Sequence, residues 1–267
     1  MRLPWTDRTG RLVPLKLVVF VALLPPGLWI AYALATGQFG GQPLKAATRE
    51  MGSWALRFLL LSLAVTPLRA LWKWNGLIAV RRMLGVGAFV YGAAHLALYA
   101  ASQGWDLGKV AAEIVLRVYL TIGFVALVAM AALAATSTDG AMRRIGGKAW
   151  RNLHRLAYPI ALLAIVHFFL QARLGAIEPQ IVAGLFVWAM AWRAAPGKGP
   201  GTALALGLAA AMLVVGAETA FFAIRYGAPV DILLAANLDP DMAPRPVHVV
   251  LGFVAAIAAV AFVRARP

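Results

Sequence analysis

The stretch Arg81-Arg82-Met83-Leu84-Gly85-Val86-Gly87-Ala88-Phe89-Val90-Tyr91-Gly92-Ala93-Ala94-His95-Leu96-Ala97-Leu98-Tyr99-Ala100-Ala101-Ser102 decides the fold. From Arg82 to Asp106, 23 consecutive positions carry no charge. About 20 mostly apolar residues are enough for an α-helix to cross the hydrocarbon core of a bilayer. Two arginines stand at one end and a single histidine lies inside. The apolar residues do not alternate over ten-residue segments, as a membrane β-barrel would require.

The same measure, taken outward, finds the segment repeated. Lys16 to Lys45 encloses 28 uncharged positions, Arg117 to Asp139 encloses 21, Lys198 to Glu218 19, Arg245 to Arg264 18 and Arg155 to Arg173 17. Two spans are weaker. Arg57 and Arg69 interrupt the apolar stretch 52–72, but they lie toward its ends and can snorkel, and Glu178 to Arg193 leaves only 14 positions. Eight helices follow, near 13–36, 52–72, 83–102, 118–136, 153–172, 178–193, 203–225 and 247–263. The fold class is all-α, a polytopic membrane helix bundle of about eight transmembrane helices. Composition agrees: the 267 residues are 62% hydrophobic and 13% charged, against about 45–50% apolar and 25% charged in soluble chains. Mean hydropathy is +0.79.

The net charge of +15 arises from 25 Lys and Arg against 10 Asp and Glu. So sparse a set of charges argues against a nucleic-acid surface and for orientation in a membrane. With eight spans, the termini and the even-numbered loops share one side, which collects 17 basic residues against Asp7 and Asp139. The opposite side carries eight of each sign. The positive-inside rule then places both termini in the cytoplasm. The alternative for the first span is a signal peptide ending near Ala33-Leu34-Ala35, but its apolar run is long for that role and cleavage would break the charge parity.

There is no cysteine, which excludes disulfides, iron–sulfur clusters, thiolate zinc sites and covalently attached haem. Any metal falls to the four histidines, to carboxylates or to a cofactor's own ring. His95 and His167 each lie about 18–22 Å along their helices from the cytoplasmic ends, at 1.5 Å per residue. Two imidazoles at one depth on different helices suit the two axial positions of a haem. The alternative is a pair of buried histidines bonded to backbone or hydroxyl groups. His154 lies 13 residues before His167, about 20 Å lower and about 140° around a continuous helix, with Pro159 between them. It is either an inner-face ligand or an interfacial polar residue. His248, beside Arg245 and Pro246, reads as interfacial. Glu218 reads as either paired with a base such as Arg57 or a proton relay. Arg81 and Arg82 are first a cytoplasmic anchor and second candidate clamps for haem propionates. The Gly-rich run 196–201 lacks the spacing of a phosphate loop.

Around these histidines the chain resembles the haem-binding membrane subunits of the bacterial periplasmic methionine sulfoxide reductase system (the MsrQ family), within the ferric reductase-like transmembrane group. The resemblance runs from about residue 40 to about 175. It is carried by Thr66-Pro67-Leu68, Arg81-Arg82-Met83-Leu84-Gly85, His95, Tyr99, Arg117-Val118-Tyr119-Leu120-Thr121, Thr136-Ser137, Gly147-Lys148-Ala149-Trp150-Arg151-Asn152-Leu153-His154, Tyr158 and His167.

The resemblance implies b-type haem with His95 and His167 as axial ligands, and His154 as the third family histidine. The wider group has two histidines on each of two helices. Here the positions 14 and 13 before His95 are Arg81 and Arg82, so a second haem at His154 would need another partner. The resemblance also implies FMN, electrons from the quinone pool or a flavin reductase, and a periplasmic molybdopterin-containing methionine sulfoxide reductase as partner. No residue set here shows a flavin site by itself.

The resemblance divides the chain into a six-helix haem-binding core, 1–200, and two further transmembrane helices, 201–267, without a known role. The flavin and nicotinamide domain of NADPH oxidases is not found, which favours an inner-membrane electron-transfer subunit over a self-sufficient reductase. The competing readings are a stand-alone transmembrane ferric or metal reductase and a proton-coupled transporter.

Overall fold

The computed structural model describes residues 3–7, 9–172, 177–242 and 244–265. Arg2, Arg8, Arg173 and Arg266, four of the residues used in the charge partition, lie outside them. The described residues are almost wholly helical; extended pairing is limited to an isolated bridge between Thr6 and Leu12. The protein is a multi-pass, all-α membrane protein. Among the described residues, seven segments are long and apolar enough to cross a membrane: Pro14–Ala35, Pro43–Leu71, Asn75–Ser102, Val118–Ala135, Gly147–Gln171, Pro200–Tyr226 and Pro246–Arg264. The weak sixth span forms a helix, Ile177–Ala194, but is not among the seven. Glu178 and Gln180 in its first turn and Arg193 in its last shorten the apolar run.

In chain order the helices are α1 (Pro14–Ala22), α2 (Leu24–Ala35), α3 (Pro43–Leu71), α4 (Ile78–Ser102), α5 (Leu107–Leu116), α6 (Val118–Ala135), α7 (Asp139–Ile145), α8 (Gly147–His154), α9 (Ala157–Gln171), α10 (Ile177–Ala194), α11 (Pro200–Tyr226), α12 (Val230–Leu238) and α13 (Pro246–Ala265). They form two compact units. One holds Met1–Leu63 with Gly76–Gln171, and the other Ala64–Asn75 with Ala172–Pro267.

Large apolar side chains face outward throughout. Leu28 is 67% exposed and Val263 68%, a surface that lipid rather than water covers. Without a hydrophobic force between helices in lipid, packing depends on small residues that let backbones approach. In the first unit, a Cβ on Gly92 of α4 would meet Leu127 and Met130 of α6 at 3.0 and 3.1 Å. In the second, a Cβ on Gly207 of α11 would lie 2.6 Å from Val254 of α13.

The first span is broken where Pro25-Pro26 removes two backbone donors. At the break the Tyr91 hydroxyl of α4 accepts from the Gly27 N–H at 2.8 Å and donates to the Leu23 carbonyl at 2.6 Å. Those two groups are four residues apart and would otherwise bond to each other. The tyrosine is therefore inserted into the helix ladder, which both satisfies the break and joins α4 to the first span.

Pro159, too, stands beside a break in its helix. The helix is interrupted just ahead of it, between α8 and α9, and Pro159 falls in the first turn of α9, where a missing N–H is tolerated. The 140° offset between His154 and His167 assumed a continuous helix and does not apply.

Tyr91→Phe removes both bonds at the break. It should lower stability by about 1–3 kcal/mol, the cost of leaving buried backbone groups unpaired. Unfolding of the purified protein in mixed micelles measures the change, and an unchanged midpoint would mean that the hydroxyl is not required.

Candidate functional site

His95 lies one turn before Tyr99 on α4, and His167 lies in the last third of α9. A neutral imidazole in lipid must place its N–H on an acceptor or suffer the full cost of desolvation. Both histidines solve this in one way. His95 Nδ1 lies 2.7 Å from the Thr48 carbonyl of α3, and His167 Nδ1 lies 2.7 Å from the Tyr119 carbonyl of α6. A carbonyl only accepts, so in each ring Nδ1 carries the proton and Nε2 is left unprotonated, the form that binds a metal.

Space for each ring comes from a glycine four residues beyond its acceptor. A Cβ on Gly52 would approach His95 Nδ1 to 2.7 Å, and one on Gly123 would approach His167 Nδ1 to 2.7 Å. Acceptor and glycine stand one helical turn apart in both cases, so two notches with one design hold the two imidazoles.

The rings face each other with centres 6.2 Å apart and planes at 90°. With metal–imidazole bonds of about 2.0–2.1 Å and about 1 Å from nitrogen to ring centre, an iron held between two imidazoles separates their centres by about 6 Å. The spacing of the two rings matches that separation.

A polar chain joins the two notches on the side of α5. Tyr99 donates to Glu113 Oε2. Glu113 Oε1 accepts from Arg117 Nη2 at 3.3 Å, and Arg117 Nη1 donates to the Tyr119 hydroxyl at 3.0 Å. The bond to Tyr119, then the Glu113 charge, push the Arg117 pKa upward. The short helix α5, whose N-cap Asp106 accepts from the Lys109 N–H, thus links the His95 helix to the residue that anchors His167. The sequence reading used Tyr99 and Tyr119 only as marks of resemblance, used Arg117 as such a mark and as the edge of a span, and missed Glu113. Its spacing of four residues from Arg117 was the available signal.

The other expected residues gather elsewhere. Arg82 Nη1 pairs with Asp139 Oδ1 at 2.7 Å. Arg82 lies 13 residues before His95 on α4, about 20 Å along the axis. His154 stacks on Trp150 with centres 3.8 Å apart. Its Nδ1 donates to the Trp150 carbonyl at 3.0 Å, and its Nε2 faces Ser137 Oγ at 3.2 Å. Arg81 and Arg82 act on His154 as neighbouring charges. These residues therefore cluster around His154, with both of its nitrogens engaged. His248 accepts from the Arg245 N–H at 3.4 Å at the start of α13. Arg57 lies over the Trp54 ring at 4.6 Å, and Glu218 Oε2 is buried without a hydrogen-bond partner.

Residues 51–165, which hold His95 and His154 and stop two residues short of His167, match the family described as the ferric reductase like transmembrane component. The protein-methionine-sulfoxide reductase heme-binding subunit MsrQ of Rhodospirillum rubrum is 44% identical over 191 residues, 71% of this chain and 89% of that protein. The subunits of the same name from Azospira oryzae and Agrobacterium fabrum are each 40% identical, covering 79% and 81% of their own lengths. The chain belongs to the MsrQ family. No solved structure matches it. Membership places the protein in the bacterial inner membrane, in agreement with its seven apolar spans. In MsrQ terms the chain is long: the R. rubrum match leaves 29% of it uncovered.

Gly52→Ala and Gly123→Ala each put a methyl group where an imidazole nitrogen stands. Each should reduce bound haem several-fold, read as the Soret absorbance per mole of purified protein. Gly85→Ala, which meets nothing within 4 Å, is the matched control on α4. Full haem content in both notch variants would show that the glycines do not hold the rings.

Proposed function

We propose that this chain binds one b-type haem between His95 and His167 and carries electrons across the membrane to a periplasmic methionine sulfoxide reductase. The observation that carries this reading is the imidazole pair, with ring centres 6.2 Å apart and each Nδ1–H held by a carbonyl. The names of the similar proteins, heme-binding subunits of a protein-methionine-sulfoxide reductase, support the partner. We infer further that the partner is a molybdopterin enzyme and that the electrons come from the quinone pool or a cytoplasmic flavin donor. Reduction of methionine sulfoxide restores an apolar thioether in a damaged protein. FMN enters by family resemblance, and no residue here is assigned to it.

The bound haem supplies one-electron chemistry. The chain's own residues prepare for it. Thr48 and Tyr119 fix the tautomer and aim of the two imidazoles, and a carbonyl acceptor at Nδ1 makes each Nε2 a stronger ligand. Helices α3, α4, α6 and α9 exclude water, so little solvent reorganisation accompanies a change of charge. Arg81 and Arg82, about 20 Å from His95 along α4, serve the inner face, where they can hold the propionates only of a haem near His154. Such a haem would require His154 to leave Ser137, so we assign His154 chiefly to the inner polar cluster.

His95→Ala and His167→Ala should each abolish the six-coordinate b-type spectrum, whereas His154→Ala should retain it. Were iron held by both imidazoles with their planes kept perpendicular, its two π-type d orbitals would be nearly equal in energy. The ferric protein should therefore give a strongly anisotropic low-spin electron paramagnetic resonance signal. Protein produced with ample haem that shows no Soret band would sink the proposal. Rapid oxidation of the reduced protein by ferric chelates, with none by a methionine sulfoxide reductase, would favour the metal-reductase reading.

Both termini are proposed to be cytoplasmic. The absence of native cysteine makes single-cysteine reporters clean. Ser137→Cys and Thr9→Cys should be shielded from a membrane-impermeant thiol reagent added to intact cells, while Ser102→Cys should be labelled. Labelling in the reverse pattern would invert the topology.

A further inference from the structure

The second unit holds a polar feature that the haem site does not use. Among the described residues, five buried side-chain polar atoms make no hydrogen bond, and all five belong to this unit. Four are oxygens: Gln180 Oε1 on α10, Glu218 Oε2 and Thr219 Oγ1 on α11, and Asn237 Oδ1 on α12. A buried acceptor without a donor is destabilising, and four at one end of a single bundle call for a common occupant.

Helix register brings them to one level. A Cβ on Gly184 of α10 would touch Val214 of α11 at 3.2 Å and Val250 of α13 at 2.8 Å. Gln180 lies one turn before Gly184, and Glu218 one turn after Val214. Because α10 and α11 run antiparallel, both steps lead toward the same end of the unit. Thr219 lies one turn beyond Val215, which is buried with Ala211, Val247 and Val250. Leu234 of α12 packs on that cluster, and Asn237 follows it by three residues. Asn237 is only 3% exposed and Thr219 5%. The Asn237 amide nitrogen is tied back to the Leu233 carbonyl of its own helix at 3.1 Å. That bond occupies the amide nitrogen and leaves the oxygen buried without a partner. The level lies about 12 Å inside the Tyr226 end of α11, with α12 folded against α11 and α13.

We propose that Gln180, Glu218, Thr219 and Asn237 form a binding site for a small monovalent cation of the sodium class. One carboxylate with three neutral oxygens is a hard, all-oxygen set whose single charge matches a monovalent ion. No group of three His, Cys, Asp or Glu side chains is found among the described residues, which disfavours a divalent or transition metal. The charge around the site agrees. At this end the described residues Glu178, Glu218, Asp231, Asp239 and Asp241 stand against Arg225 and Arg245, 5 − 2, a net of −3 in a chain of +15. Such a field draws cations to the site. The second unit thereby gains a ligand, independent of the haem reading.

The test uses the full haem-loaded chain in detergent. Thermal unfolding, followed by circular dichroism, is compared in sodium chloride and in choline chloride at equal ionic strength. A saturable rise in the unfolding midpoint with sodium, absent with choline, is expected, as binding to the folded state alone requires. Glu218→Gln and Asn237→Leu should each remove it while leaving the Soret band unchanged. Equal midpoints in the two salts, or a sodium response kept in both variants, would overturn the proposal. Should the variants fail to fold, equilibrium binding of radioactive sodium to the wild-type chain decides: about one ion per chain supports the site, and none refutes it.

Discussion

Lipid supplies no hydrogen bonds, so a polar side chain at membrane depth must find its partner in the protein or in a bound group. This constraint organises the centre of the molecule. An imidazole that is to offer Nε2 to a metal must first settle its Nδ1–H, and both rings use helix carbonyls for this. Those carbonyls already serve their own helices. A second donor can reach one only where the helix surface is open, and a glycine one turn along provides the opening. Thr48 with Gly52, and Tyr119 with Gly123, are therefore consequences of placing histidine in a bilayer. The same reasoning explains Tyr91, whose hydroxyl fills a gap in the backbone ladder left by two prolines.

The two notches would still drift if the helices carrying them were free. Helices α4 and α6 meet where Gly92 faces Leu127 and Met130, a packing without directional bonds. Directional contacts are needed to fix rotation. On the α5 side these are the bonds of Tyr99, Glu113, Arg117 and Tyr119. Near the other ends of α4 and α6 they are the pair of Arg82 with Asp139 and the bond from the Trp150 indole N–H to the Thr136 carbonyl. Ionic residues stand at the ends of the spans, where they cost little, and aim neutral ligands in the middle, where a charge would cost much.

How far the sequence exposes this arrangement depends on the range of each interaction. Uncharged length is local, so the apolar spans and the matched depths of His95 and His167 follow from counting. The break between α8 and α9 is also local, yet Pro159 marked the place without revealing whether the helix bends or stops. Gly52 and Gly123 look like any membrane glycine until the ring opposite each is known, because the contact joins residues more than 40 positions apart. The pairing of Arg82 with Asp139 is of the same kind. Read along one helix, Arg82 is an anchor; only the fold shows that its charge is already matched.

Helix α10 bears on the sidedness of the whole chain. Seven crossings would separate the termini, and the 17 basic residues assigned to one side by eight crossings would then be divided between both. Eighteen helical residues span about 27 Å, close to the hydrocarbon thickness of about 30 Å. The polar residues of α10 lie in its terminal turns: Glu178 and Gln180 in the first, Arg193 in the last. Arg193 donates to the Ala189 carbonyl at 2.5 Å, and the buried stretch between carries Val182, Gly184, Trp188, Ala189 and Trp192. Such a helix can cross with its charged ends in the interfaces, although by composition it is the weakest of the set. Its polar first turn also supplies Gln180 beside Glu218. The feature that makes α10 a poor transmembrane helix by counting is then the one that furnishes an oxygen to the second unit's polar site.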